Sequence, residues 1–241
     1  MKYPSIQMLT SLAVAILLLT GCGGGEPGKH LFILSGQSNM TGGLEAGFAR
    51  TVEDAFGKAN VTVVRNSKSG RGIRFWDKDY KFPDNYKFPG KGAPEAKHWD
   101  QHGRLYGPLI QAVRNADKEK SYDSVTFIWM QGESDAGRAL GEVYADSFLR
   151  LVERLKTDLD REELNFVIGR ISDARMSDTG WTRVRDVQVK LAEDHANGAW
   201  IDTDDLNGGQ AGVPGGAVHY PAEKAGVLGE RFAAKAIELI R

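Results

Sequence analysis

The chain has 241 residues, 41% hydrophobic and 26% charged, with a formal net charge of −1. These are ordinary values for a soluble globular protein, and the length supports a core that needs no staples. A near-zero charge gives no global field, so nothing in the composition points to nucleic acid or to an anionic membrane as a partner.

In chain order, the first segment reads as a leader. Lys2 supplies a positive start, and Leu12 to Leu19 form an apolar run too short to span a bilayer. Leu19-Thr20-Gly21-Cys22 then resembles the bacterial lipobox. That resemblance implies a signal peptide over 1–21, cleavage before Cys22 and lipid on that residue. The only cysteine of the chain falls there, so the folded part has no disulfide to draw on. Residues 22–29 read as a flexible tether, and 30–241 as one domain. The expected location is the bacterial cell envelope, lipid-anchored. Gly23 after the cysteine favours outer-membrane sorting by analogy.

Beyond the tether, apolar runs alternate with helical patterns. Leu31–Leu34, Val61–Val64, Val125–Trp129, Asn165–Gly169 and Ala199–Ile201 are strand candidates. Their continuous apolar character predicts cover on both faces. Leu105–Ala116, Val143–Leu159, Trp181–Ala192 and Pro221–Ile240 carry apolar residues at helical spacing. Strands separated by helices predict right-handed crossovers and a five-stranded parallel sheet in an α/β fold. One stretch breaks the rhythm: residues 74–103 carry Phe75, Trp76, Tyr80, Phe82, Tyr86, Phe88 and Trp99 among Lys, Pro and Gly. It reads either as a wall of sugar-stacking rings or as a local cluster over a core edge.

Parallel open sheets place their ligand sites at the carboxyl ends of the strands. Ser38, Gly70, Gln131 and His219 all follow strand candidates, so all can converge on one rim. Serine needs a base to take its proton and donors to hold the resulting oxyanion. Alone, Ser38 reads as a helix cap and His219 as a surface histidine; the convergence favours a hydrolytic pair. His30, His98, His102 and His195 show no paired metal spacing. No GxSxG, GxGxxG or Walker signature is present.

Four blocks in order carry a family resemblance: Gly36-Gln37-Ser38-Asn39-Met40, Ser69-Gly70-Arg71-Gly72-Ile73, Trp129 to Asp135, and Val218-His219-Tyr220. Together they resemble the sialate O-acetylesterase-like and plant-type carbohydrate acetylesterase branch of the SGNH hydrolases. The resemblance implies a three-layer flavodoxin-like fold, acetylated carbohydrate as substrate and no cofactor or metal. It implies Ser38 as nucleophile, with its amide at a helix N-terminus, and His219 as base. The oxyanion donors would be the amides of Ser38 and Gly70 and the side chain of Gln131.

One departure matters. The family pattern is Asp-x-x-His, and Gly216 stands where the aspartate belongs. Glu133, Asp202, Asp204 or Asp205 could replace it as the orienter of His219. A backbone carbonyl could serve instead, leaving a Ser–His dyad. The remaining reading is a carbohydrate-binding lipoprotein that keeps the fold without turnover. If the acid is simply missing, an aspartate at 216 would raise the rate. Glu133 and Asp135 also suit a helix start, and Arg71 and Arg74 suit either a carboxylated sugar or solvent. Sugar identity and oligomeric state are left open.

Overall fold

The computed structural model describes residues 28–88, 100–116, 121–209 and 215–241. The expected signal peptide, Cys22 and most of the tether lie outside the described residues, as do His98 and Trp99. The five apolar runs form β1 (His30–Gly36), β2 (Val61–Ser67), β3 (Ser124–Met130), β4 (Asn165–Gly169) and β5 (Gly198–Ile201). All pair in parallel, in the order β2-β1-β3-β4-β5. Gly36, the last residue of β1, lies opposite Ser67 of β2 and Met130 of β3. The order reverses direction between β1 and β3, which opens a crevice at their carboxyl ends.

Side chains alternate strictly across the sheet. Leu31, Ile33, Phe127, Trp129, Phe166 and Ile168 face one apolar layer, covered by α2 (Tyr106–Ala116), α4 (Tyr144–Asp158) and α5 (Thr179–Glu193). Phe32, Leu34, Ile128, Met130 and Val167 face the other, covered by α1 (Gly42–Phe56) and α6 (Ala222–Ile240). A short helix, α3 (Glu133–Ala136), follows β3. With both faces sealed, the strands need no polar side, and their continuous apolar runs are explained. No helix among the described residues is long and apolar enough to cross a membrane.

The sequence reading expects a helix to start at Ser38 but traces no helical pattern over α1. Its glycines weaken helix propensity, yet Leu44, Phe48 and Val52 line its buried face and Thr41 caps it, accepting from the Leu44 amide at 3.3 Å. Gly47 is there for packing: a Cβ at this position would sit 2.2 Å from the Gly226 carbonyl oxygen of α6. Gly229 of α6 answers it, 2.1 Å from the Leu44 carbonyl by the same construction.

The aromatic stretch resolves toward the local cluster in its described part. Trp76 is fully buried and meets Trp129 edge-on at 5.1 Å. Tyr80, Phe82, Tyr86 and Phe88 pack on one another at 4.8–5.1 Å, edge-on except for the stacked Phe82–Tyr86 pair. Trp76 and Tyr80, both buried, therefore do not serve as sugar platforms, and the second of the two readings holds for them.

Candidate active site

β1 ends in a backbone turn that only glycine fits. Gly36 has φ 140, and a Cβ there would lie 2.0 Å from the Met130 carbonyl oxygen. The chain thus crosses the end of β3, with the Gln37 amide donating to that carbonyl at 2.9 Å. This lifts Ser38, half-buried, to the rim of the crevice. His219 arrives from the loop before α6, and its Nε2 lies 2.8 Å from Ser38 Oγ. The two residues, 181 positions apart in sequence, meet as the strand topology predicted. They open onto a cleft of about 540 Å³ that Ser69, Gly70, Glu133, Ser134, Arg138 and Trp181 also line.

Several details differ from expectation. Ser38 is not at a helix N-terminus: α1 begins at Gly42 with Thr41 as its cap. The helix field fades within its first turn, so the Ser38 amide acts as a local donor only. Gly70 lines the cleft with φ 66 and open space where a side chain would be. Its glycine meets a backbone need, not crowding.

Gln131 is the larger correction. It is fully buried and does not line the cleft. Its Nε2 faces Asp135 Oδ2, the Arg71 carbonyl at 3.2 Å and Gln37 Oε1 at 3.3 Å. An amide nitrogen carries two hydrogens, so none is left for an acyl oxygen. Its carbonyl oxygen, buried and without a partner, cannot donate. Gln131 therefore braces the first three motifs against one another. Asp135 shares that task by accepting from the Ile73 amide at 2.9 Å.

The candidate orienters of His219 are all engaged elsewhere. Asp202 pairs with Arg170 at 2.7 Å, Asp204 with Arg185 at 2.7 Å, and Asp205 with Arg231 at 2.6 Å. Glu133 Oε1 accepts from Asn39 Nδ2 at 2.7 Å. Among the described residues, Ser38 is the one hydrogen-bond partner of the His219 ring. Burial pushes the Glu133 carboxyl up to about 7 and raises Asp135 as well. Neither acid was expected to lie so deep. Arg74, also buried, lies over the Phe75 ring at 4.2 Å instead of in solvent. Arg71 rests over the same ring at 5.3 Å.

Comparison with known proteins gives the chain a family. The family model described as "Carbohydrate esterase, sialic acid-specific acetylesterase" matches residues 43–238. The chain belongs to that family. The match begins five residues after Ser38, so the turn that carries Ser38 rests on the geometry above. An Arabidopsis thaliana protein of known structure is similar at TM-score 0.60 and 17% identity, over 88% of this chain and 99% of that one. A carbohydrate acetylesterase from Xanthomonas citri is similar at TM-score 0.63 and 14% identity, over 87% of this chain and 56% of that one. This chain thus spans little more than half of the Xanthomonas protein. A carbohydrate esterase family 2 enzyme with a carbohydrate-binding domain, from Corynascus thermopiles, is similar at TM-score 0.52 and 14% identity, over 90% of this chain and 68% of that one. These likenesses show the shared fold. No curated protein matches the chain.

In this carbohydrate esterase the loop bearing His219 is pinned by residues that the motifs did not reveal. Asn207 Nδ2 donates to the Gly215 carbonyl and to Asp173 Oδ1, both at 2.6 Å, while the Ala217 amide donates to the Asn207 carbonyl at 3.0 Å. Gly216, at the position of the missing aspartate, has φ 81, and a Cβ there would meet Asn207 Oδ1 at 2.6 Å. An aspartate cannot be added without breaking this bracket. Gly216→Asp should therefore lower kcat for an acetyl ester by roughly tenfold instead of raising it, because the loop must shift. Steady-state rates of the folded variant check this.

Proposed function

We propose that this protein is a serine esterase that removes O-acetyl or similar small acyl groups from carbohydrate. The 2.8 Å contact between Ser38 Oγ and His219 Nε2 carries the proposal. As Ser38 attacks the acyl carbonyl carbon, His219 Nε2 takes the hydroxyl proton. The Ser38 and Gly70 amides face the developing oxyanion, each such donor contributing roughly two to three orders of magnitude. The tetrahedral intermediate collapses, and His219 returns its proton to the departing sugar hydroxyl. Water then attacks the acyl-serine with His219 again as base, and the carboxylic acid leaves. No step calls for a metal or an organic cofactor. The family description and the size of the cleft support a small acyl group on a sugar. The sequence around Cys22 supports the second part of the proposal, a lipid anchor in a bacterial envelope.

The ring of His219 lacks a carboxylate partner among the described residues, and that favours one competing reading: a sugar-binding protein that has lost turnover. A serine-directed fluorophosphonate separates the two. The enzyme reading expects the parent protein to label and Ser38→Ala not to label. Absence of labelling from mildly acid to alkaline pH would leave the binder.

A further inference from the structure

A histidine base needs its ring held in place, and in an Asp-x-x-His chain a carboxylate does this through the ring nitrogen. Here the hold is on the backbone. The Asn39 side chain spans His219: its Nδ2 donates to the Val218 carbonyl at 3.0 Å, and its Oδ1 accepts from the Tyr220 amide at 3.4 Å. The second Nδ2 hydrogen goes to Glu133 Oε1 at 2.7 Å. Both Asn39 and Glu133 are buried, and Glu133 Oε2 has no partner. One amide therefore touches both flanks of the base, and one carboxylate holds that amide.

We propose that Asn39, anchored by Glu133, is the positioning device for His219 that replaces the missing acid of the motif. The inference rests on the Ser–His reading of the site. A bond to an ionised acceptor is shorter and stronger than one to a neutral acceptor, so the clamp is tightest when Glu133 carries its charge. Burial holds that ionisation near neutral pH. The titratable groups facing Glu133 are Asp135 of its own helix, Tyr144 of α4 and Tyr220 of the His219 loop. The two tyrosines sit well above their usual range through burial, and burial raises Asp135 as well.

The test uses 4-nitrophenyl acetate with the purified full-length protein and its variants, between about pH 5 and pH 9. Asn39→Ala and Glu133→Ala should each lower kcat roughly tenfold with KM within about twofold, the pattern of a misplaced base and an intact substrate pocket. The double variant should be no slower than the worse single one, because the two residues act through one bond. Glu133→Gln keeps an acceptor for Asn39 and removes the charge. It should match the parent at acid pH, where Glu133 is neutral too, fall a few-fold short of it at alkaline pH while staying above Glu133→Ala, and the acid limb of its kcat/KM profile should lose one ionisation. Multiplicative loss in the double variant, full kcat in folded single variants, or an unchanged acid limb in Glu133→Gln overturns the clamp. Should the alanine variants not fold, the profile of Glu133→Gln still decides. A parent protein without Ser38-dependent turnover defeats the esterase reading itself, whereas turnover that ignores these substitutions defeats the clamp alone.

Discussion

Replacing His219 by alanine should lower kcat toward an acetyl ester by about four orders of magnitude, with KM within a few-fold of the parent. The argument is geometric. Among the described residues Ser38 Oγ makes its one hydrogen bond to His219 Nε2, so the imidazole is the group placed to accept the hydroxyl proton as the new bond forms. The other residues that line the cleft stay in place, so ground-state binding should be largely spared. His219 is exposed to solvent, which leaves little packing to lose and lets a small molecule enter the vacated space. Added imidazole should then restore part of the rate in His219→Ala and none in Ser38→Ala. Rates at several imidazole concentrations check this. A variant that keeps most of its kcat would show that the base lies elsewhere.

The convergence of Ser38 with His219 was legible because it follows from topology. Five apolar runs with helices between them specify a parallel sheet, and such a sheet gathers residues that follow its strands at one edge. Even the bounds of β4 agree with the sequence reading. Helix α1 escaped because Gly42, Gly43 and Gly47 argue against a helix locally, while the reason for Gly47 is the α6 backbone, some 180 residues away. The direction of the Gln131 amide escaped for a related reason. Its role depends on whether Asp135, one helical turn on, points inward, and only burial settles that. The Asp202, Asp204 and Asp205 cluster read as spare acids near the base. Their arginine partners lie 19 to 34 residues away, and sequence proximity carries no sign of such pairs. Asn39 was in plain view beside Ser38. Only the folded position of the His219 loop shows what it holds.

The second large effect concerns stability and has the opposite sign from most carboxylates. Glu133 titrates at about 7 in the folded protein against a usual 4.5, because burial disfavours its charge. Folding therefore favours the protonated acid. That contribution is fully present below pH 4.5 and is lost as the pH rises through 7. With one pKa unit equal to 1.36 kcal/mol, the parent should lose about 2–3 kcal/mol relative to Glu133→Gln between pH 5 and pH 8.5. For a domain of this size that moves the gap in Tm by roughly 5–10 °C. The glutamine introduces an unpaired amide donor where Glu133 Oε2 is, which costs about 1–3 kcal/mol. That cost does not vary with pH, so it drops out of the change in the gap. Asp135, also raised by burial, is present in both proteins, and its repulsion of Glu133 is part of the effect measured. Thermal melts of the two proteins across this range measure the effect, and a gap that stays constant would place the Glu133 carboxyl near its usual value. The site thus sets activity against stability: the charge that tightens the hold on His219 is the charge that the fold is least willing to bury.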